Sequence, residues 1–134
     1  MNTHPPRAPR LDHVNIQATD LHETVAFYRD LLGLTAIDPP SSLDANRVQW
    51  MKNDDGAAIF HITTAGSIGS ISVGEGTGPV HHVALDCVDP DAMIARLDAR
   101  GLTYHDNYVA PIRLKQIFVE DPNGVLLELN FRDS

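Results

Sequence analysis

The stretch HVNIQATD at residues 13–20 is repeated as HVALDCVD at residues 82–89. Each copy continues into a helical pattern that ends in the tripeptide GLT. The copies are offset by 69 residues at the His and by 68 at the Gly, so a one-residue insertion separates them. If the two units pair around a pseudo-twofold axis, His13 and His82 face each other. Two convergent imidazoles are the start of a metal site.

The first copy shows the pattern of a strand followed by a helix. Val14 and Ile16 alternate with polar residues, which is the period of a half-buried strand. Asp20 and Glu23 form a start similar to a capping box, and Gly33 supplies a left-handed residue that ends the helix. The rest of this half predicts strands at residues 47–52 and 57–64, a turn of Asn53-Asp54-Asp55-Gly56 between them, and a weak strand at residues 68–73.

The second copy repeats this organisation. Residues 80–87 predict a strand, Asp89 a helix cap and Pro90 the first helical residue, with Gly101 after the helix. We assign His105 to a polar loop without a function. Two more strands are predicted at residues 114–120 and 125–131, around a turn of Asp121, Pro122, Asn123 and Gly124. Both halves therefore carry a strand, a helix and further strands in the same succession.

A single domain accounts for the 134 residues. Neither half covers both faces of its own sheet, so the two units packed together predict an α+β fold. We place a disordered tail at residues 1–10, a domain at 11–131, its first module at 11–73, a Gly-rich linker at 74–79 and its second module at 80–131. The polar faces of the His-bearing strands then line a shared groove.

The charge and the cysteine content exclude several classes of function. A formal net charge of −8 argues against a nucleic-acid partner and against an anionic membrane surface, because both require faces rich in Lys and Arg. No apolar run has the length of a signal peptide or a membrane span. Cys87 is the single cysteine, so we expect no intrachain disulfide and a reducing, cytoplasmic environment. Its alternation with Val83 and Leu85 predicts a buried small apolar residue rather than a nucleophile.

Polar residues that interrupt apolar strands are the candidates for chemistry. Glu128 lies in the middle of the otherwise apolar last strand, where a lone carboxylate is costly to bury unless it is paired or bound to a cation. His61 lies between Phe60 and Ile62 on the matching strand of the first half. When Gly56 and Gly124 of the two turns are aligned, His61 lies five positions after its Gly and Glu128 lies four positions after its Gly. Their equivalence therefore requires a one-residue slip.

With the two repeated histidines, these residues form a candidate metal site: His13, His61, His82 and Glu128. Two His and one carboxylate with open positions form the ligand set of non-haem Fe(II) and of catalytic Zn²⁺. Open positions allow a substrate with two oxygens to chelate the ion, which acts as a Lewis acid, while a free basic side chain moves a proton. On these grounds His61 is a fourth ligand, a catalytic base or a core histidine.

Neighbouring residues carry weaker signals. Strand parity directs His81 away from the adjacent repeated histidine and predicts a structural or indirect role. Arg113, Lys115 and Gln116 are either contacts to an anion or ordinary strand-edge side chains. Core packing is the preferred role of Trp50.

The sequence resembles the vicinal oxygen chelate superfamily, which includes glyoxalase I, extradiol dioxygenases and the fosfomycin and bleomycin resistance proteins. The similar segments are LDHVNIQATDLHETVAFYRDLLGLT from Leu11, HHVALDCVDPDAMIARLDARGLT from His81 and QIFVEDPNGVLLELNF from Gln116. The resemblance implies two βαβββ modules that form a U-shaped mixed sheet around a metal groove. It also implies that His13, His82 and Glu128 hold a divalent ion, with Zn, Ni, Fe and Mn as the candidates.

The same resemblance leaves three functions open. Glyoxalase I has a Glu ligand that doubles as a base at the position of His61. The His in this chain argues against ordinary glyoxalase I activity, and a related lyase or isomerase stays the favoured function. Ring-cleaving dioxygenases of the family have a His and a Tyr shortly before the last turn. This chain has Phe118 at the place of the Tyr and no His between Pro111 and Asp121, which disfavours an Fe(II)-dependent dioxygenase. A non-catalytic small-molecule binding or resistance protein is the alternative from another class.

We therefore expect a metal-dependent lyase or isomerase that acts on a small substrate with vicinal oxygens. Modules of this family commonly pair, so a homodimer is expected. The groove is completed either within one chain or across the dimer.

Overall fold

A computed structural model describes residues 6–67 and 78–132. The first half contains β1 (Val14–Gln17), α1 (Leu21–Leu32), β2 (Thr35–Ile37), β3 (Val48–Lys52) and β4 (Ala58–Thr63). The second half contains β5 (Val83–Cys87), α2 (Pro90–Ala99), β6 (His105–Val109), β7 (Leu114–Glu120) and β8 (Leu126–Arg132). Each half is thus a βαβββ module. No helix within the described ranges is long and apolar enough to cross a membrane.

Each module forms its own four-stranded mixed sheet. The strand orders are β1-β4-β3-β2 and β5-β8-β7-β6. The opening strand pairs in parallel with the last strand of its module, and the remaining pairs are antiparallel. The expected α+β fold of two βαβββ modules is confirmed. Among the described residues of one chain the two sheets remain separate, and β1 and β5 each occupy a sheet edge.

Several details differ from the sequence-based expectations. The strands β2 and β6 were not expected, and His105 lies in β6 rather than in a loop. Four of the five residues of β6 are exposed and it pairs with β7 through its backbone, so no apolar alternation marks it in the sequence. β1 and β5 begin at Val14 and Val83, whereas the sequence pattern predicts strands that begin at Leu11 and Val80. The weak strand expected at 68–73 and most of the linker at 74–79 lie outside the described residues.

The helix boundaries follow the expected signals. The Asp20 side chain accepts a hydrogen bond from the backbone N–H of Glu23, and Gly33 ends α1 with a φ of 74°. Asp89 caps α2 in the same way by accepting from the N–H of Ala92. Asp89 has a φ of 61°, a left-handed conformation that Asp adopts more readily than most residues.

The two modules share one apolar core. α1 contributes Phe27 and Leu31, α2 contributes Leu97, and the second sheet contributes Ile117 and Leu129, all of them buried in a single cluster. Apolar residues of both helices and both sheets therefore pack in one cluster, and neither module buries its apolar surface alone. This packing joins the modules through their helix side, so both polar sheet faces stay on the other side.

A buried hydrogen bond also connects the modules. The Tyr28 hydroxyl of α1 donates over 2.9 Å to Oδ2 of Asp121, which lies in the turn between β7 and β8. The other oxygen of Asp121 accepts from the backbone N–H groups of Asn123 and Val125. Asn123 in turn donates from Nδ2 to the Thr24 hydroxyl. Burial, and then the charge of Asp121, raise the pKa of the Tyr28 hydroxyl, so this hydroxyl stays a donor.

We expect Tyr28→Phe to lower the free energy of unfolding by about 1–3 kcal/mol, because it leaves an oxygen of a buried carboxylate without its donor. Urea denaturation measures the change. Tyr108→Phe is the matched control, since Tyr108 is 56% exposed and its substitution should change stability by less than about 0.5 kcal/mol. Equal stability of the two variants would contradict the structural role of the Tyr28–Asp121 bond.

Candidate metal centre

The first pair of predicted ligands lies on the first sheet. His13 immediately precedes β1, and His61 lies in β4 with Asn15 as its partner in the parallel register. The two imidazole rings are stacked with centroids 3.6 Å apart and planes within 12°. The other face of His61 stacks on Trp50 at 4.1 Å, with planes within 9°. Trp50 is half-buried rather than part of the core, and it fixes the orientation of the His61 ring.

The electrostatic surroundings keep His61 neutral near pH 7. Burial lowers the pKa of His61 below its ordinary value, the neighbouring His13 lowers it further, and Asp12 opposes both with a smaller effect. Asp12 contacts His13 Nδ1, and this hydrogen bond is the main cause that lowers the pKa of the Asp12 carboxyl. A neutral imidazole has a lone pair that binds a metal or accepts a proton.

The second pair lies on the second sheet. His82 immediately precedes β5, and its Nε2 lies 3.7 Å from Glu128 Oε1. Glu128 is in β8, opposite Ala84, and its side chain is 15% exposed. Its other oxygen accepts a hydrogen bond from Asn130 Nδ2 over 2.9 Å. A carboxylate thus lies beside an imidazole, with one oxygen committed to an amide.

His81 differs from the expectation for it. Strand parity placed its ring away from His82, but β5 begins only at Val83, so the alternation does not extend to His81. The two rings contact each other edge to face, and His81 Nδ1 lies 2.9 Å from His82 Nδ1. The contact leaves Nε2 of His82 as the nitrogen nearer to Glu128.

The strand register makes His61 and Glu128 equivalent. His61 pairs with the residue two positions after His13, and Glu128 pairs with the residue two positions after His82. The one-residue slip that the sequence requires is a β-bulge. Met51 pairs with Phe60 but Lys52 pairs with Ala58, which leaves one extra residue, Ile59, in β4.

The donor set suits a divalent metal, but it is divided between the two sheets. Two ligands of one tetrahedral ion lie roughly 3.4 Å apart when each is about 2.1 Å from it, which matches the 3.7 Å between His82 and Glu128. Within residues 6–67 and 78–132 of a single chain, no three His, Cys, Asp or Glu side chains lie close enough together to hold a metal. The structure therefore presents two half-sites, His13 with His61 and His82 with Glu128.

A cleft of about 610 Å³ lies elsewhere, between the two modules. Its lining includes the end of α1, the turn between β3 and β4, and Cys87 on β5, and it includes none of the four predicted ligands. Burial raises the pKa of the Cys87 thiol to about 11. Cys87 packs partly buried against the core, which matches its expected role as a small apolar residue.

The family model described as "Glyoxalase/Bleomycin resistance protein/Dioxygenase superfamily" matches residues 10–129. The chain belongs to this superfamily. Its sequence is 26% identical over 133 residues to "Glyoxylase I 4" of Arabidopsis thaliana, which covers 92% of this chain and 71% of that protein.

Solved structures share the fold at low sequence identity. A glyoxalase/dioxygenase from Nostoc punctiforme aligns with a TM-score of 0.76 and 16% identity, over 99% of this chain and 100% of that one. A fosfomycin resistance protein from Listeria monocytogenes aligns with a TM-score of 0.67 and 17% identity, over 95% and 96% of the two chains. These similarities establish the fold. The fold does not determine the reaction, which depends on the residues of the site.

We expect the NMR titration of His61 to have a midpoint below 6.5, its ordinary value. The unfolded chain then binds this proton more readily than the folded one, so His61 makes the folded state less stable as the pH falls through that value. His13→Ala should move the midpoint upward, because the neighbouring His13 lowers the pKa of His61. A wild-type midpoint at or above 6.5 would contradict the assignment of a neutral His61.

Cys87 should react slowly with a thiol reagent in the native protein. With a pKa of about 11, roughly one thiol in a thousand is ionised at pH 8, so labelling should be about two orders of magnitude slower than for a free cysteine. Labelling in urea provides the control. Native and unfolded rates that agree would show that burial does not protect this thiol.

Proposed function

We propose that this protein is a divalent-metal-dependent enzyme with glyoxalase-like lyase or isomerase chemistry on a small substrate with vicinal oxygens. His13, His82 and Glu128 hold the ion, and His61 is either its fourth ligand or the catalytic base. The observation that carries the proposal is the equivalent register of the two donor pairs. Each module places an imidazole before its opening strand and a second donor at the same position of its closing strand.

The bound ion supplies a Lewis acid for a substrate oxyanion. The chain itself supplies proton transfer and orientation. His61 is neutral near pH 7 because of burial, so its free nitrogen accepts a proton from a carbon next to a carbonyl group. Stacking on Trp50 prevents the ring from rotating away. If His61 coordinates the ion instead, the proton acceptor is a different group, and the His61→Gln variant retains proton exchange.

A homodimer completes the site in this proposal. Each chain presents two half-sites that do not meet, and the strands β1 and β5 beside them lie at sheet edges. A symmetric dimer that joins the first module of one chain to the second module of its partner assembles two identical sites. Each site then contains His13 and His61 of one chain with the partner's His82 and the partner's Glu128.

The position of Phe118 favours lyase or isomerase chemistry over dioxygenase chemistry. Phe118 lies in β7 directly opposite Glu128, where it offers an apolar ring and no hydroxyl group. Oxygen chemistry at this place lacks the acidic hydroxyl that a tyrosine would supply. We propose a cytoplasmic location, because the single cysteine, Cys87, is a free thiol. The net charge of −8 argues against nucleic acid and anionic membranes as partners.

Metal content tests the enzyme and the shared site together. Wild-type protein purified without chelator should carry about one divalent ion per chain, and His13→Ala and Glu128→Ala should each lose it. A heterodimer of one His13→Ala chain and one Glu128→Ala chain, isolated with two tags, should regain about half of the wild-type metal content. In that heterodimer both substitutions fall in one site and the other site is intact.

Three outcomes would separate the possibilities. Wild-type protein without stoichiometric metal indicates a binding protein rather than a metal enzyme. A heterodimer that stays metal-free shows that the site does not form across the dimer. Metal content that survives both single substitutions shows that the ligands are wrong.

The reaction class is tested by hydrogen exchange. With α-hydroxycarbonyl compounds in deuterated water, we expect the metal-loaded protein to exchange the carbon-bound hydrogen, as followed by NMR, and to consume no oxygen with catechols and Fe(II). His61→Gln should lower the exchange rate by about 10²–10⁴-fold if His61 is the base. Oxygen consumption without hydrogen exchange would instead identify the dioxygenase alternative.

A further inference from the structure

A row of side-chain amides crosses the polar face of the second sheet. Asn107 in β6, Gln116 in β7 and Asn130 in β8 are direct cross-strand partners, one after another. Asn107 Nδ2 donates to Gln116 Oε1 over 3.0 Å, and Gln116 Nε2 donates to Asn130 Oδ1 over 3.3 Å. Asn130 Nδ2 donates to Glu128 Oε2 over 2.9 Å. The row therefore ends on a proposed metal ligand.

The direction of these hydrogen bonds is set by the carboxylate. An ionised Glu only accepts hydrogen bonds, so the amide nitrogen of Asn130 must face Glu128 and its oxygen must face Gln116. Gln116 must then present its nitrogen to Asn130 and its oxygen to Asn107. The charge of Glu128 therefore sets the orientation of both amides. In that orientation Gln116 donates to Asn130, and Asn130 donates to Glu128.

Burial makes the inner part of this row stronger than the outer part. Asn130 is 7% exposed, Gln116 is half-buried and Asn107 is exposed. A hydrogen bond from a buried amide to a charged acceptor contributes more than one that competes with water. Asn130 thus holds Glu128 firmly, and Asn107 at the exposed end is replaceable by water.

We propose that Asn130, oriented by Gln116, is a positioning residue that makes Glu128 a one-oxygen metal ligand. The amide occupies Oε2 and leaves Oε1, the oxygen that lies 3.7 Å from His82 Nε2, as the donor to the ion. A carboxylate restricted to one oxygen leaves a further coordination position for a chelating substrate. This inference rests on the proposed function, because it concerns the same metal site.

Metal affinity of the whole protein provides the first test, with Co²⁺ and Zn²⁺ titrations followed by calorimetry. Asn130→Leu, which has a similar shape and no donor, should weaken metal binding by about 10–100-fold. Gln116→Glu should also weaken it, although it keeps Asn130, because a carboxylate at 116 attracts the Asn130 nitrogen away from Glu128. Asn107→Leu, the matched Asn-to-Leu control at the exposed end, should change the affinity by less than about threefold.

The infrared difference spectrum between metal-loaded and metal-free protein provides a second test. The antisymmetric and symmetric carboxylate stretches should be widely separated in the wild type, as for one-oxygen coordination. Their separation should narrow in Asn130→Leu, whose Glu128 has both oxygens available. A purely structural role of Asn130 would lower stability without this spectral change. Gln116→Glu alters a half-buried residue and keeps the test decisive if Asn130→Leu does not fold.

The outcomes distinguish this inference from the function on which it rests. A wild type that binds no metal overturns both. A wild type that binds metal, with Asn130→Leu and Gln116→Glu unchanged in affinity and in spectrum, overturns only the role of Asn130. Equal losses in Asn107→Leu and Asn130→Leu also overturn it, because they would indicate a general effect of the sheet surface.

Discussion

The parallel pairing of the first and last strand of each module is the constraint on which the site depends. It places the residue before the opening strand close to the middle of the closing strand, although the two residues are 48 positions apart in the first module and 46 in the second. His13 meets His61 and His82 approaches Glu128 for this one reason. The same pairing leaves the other side of β1 and of β5 at a sheet edge, which is the side available to a second chain.

The helix packing explains why the modules behave as one unit while their sheets stay apart. Phe27 of α1 and Leu97 of α2 enter one core, and the Tyr28–Asp121 bond connects that core to the turn between β7 and β8. A module alone would expose its share of this apolar surface. Helix packing therefore fixes the polar sheet faces on the opposite side, where the described residues of one chain bring two donors together on each sheet and not three.

The sequence predicted what local chemistry determines. The caps of α1 and α2, the buried alternation of β8 and the family itself follow from residue type and spacing. It could not predict β6, whose residues are mostly exposed and which is held by backbone pairing, or the contact of His81 with His82, which depends on where β5 begins. The bulge at Ile59 appeared in the sequence only as a shift of one residue, and the strand register was needed to locate it.

Local sequence patterns do not predict how the site is assembled, because assembly depends on which surfaces of the folded chains meet. Spacing grouped His13, His61, His82 and Glu128, and the structure resolves that group into two pairs on separate sheets. A repeat in sequence indicates that two units are equivalent, but it does not indicate whether each unit pairs with its own neighbour or with that of another chain.

The two modules stabilise their closing-strand donors by different means within the same framework. The third strand of each module places an aromatic residue opposite the donor, Trp50 opposite His61 and Phe118 opposite Glu128. Two residues after the donor, the modules diverge. Thr63 accepts a hydrogen bond from Asn15 and leaves His61 to ring stacking, whereas Asn130 donates to Glu128 directly. An imidazole is oriented by stacking because its ring has two faces, and a carboxylate requires a directed donor. The second module can therefore fix one oxygen of Glu128, whereas the first fixes the ring plane of a neutral His61.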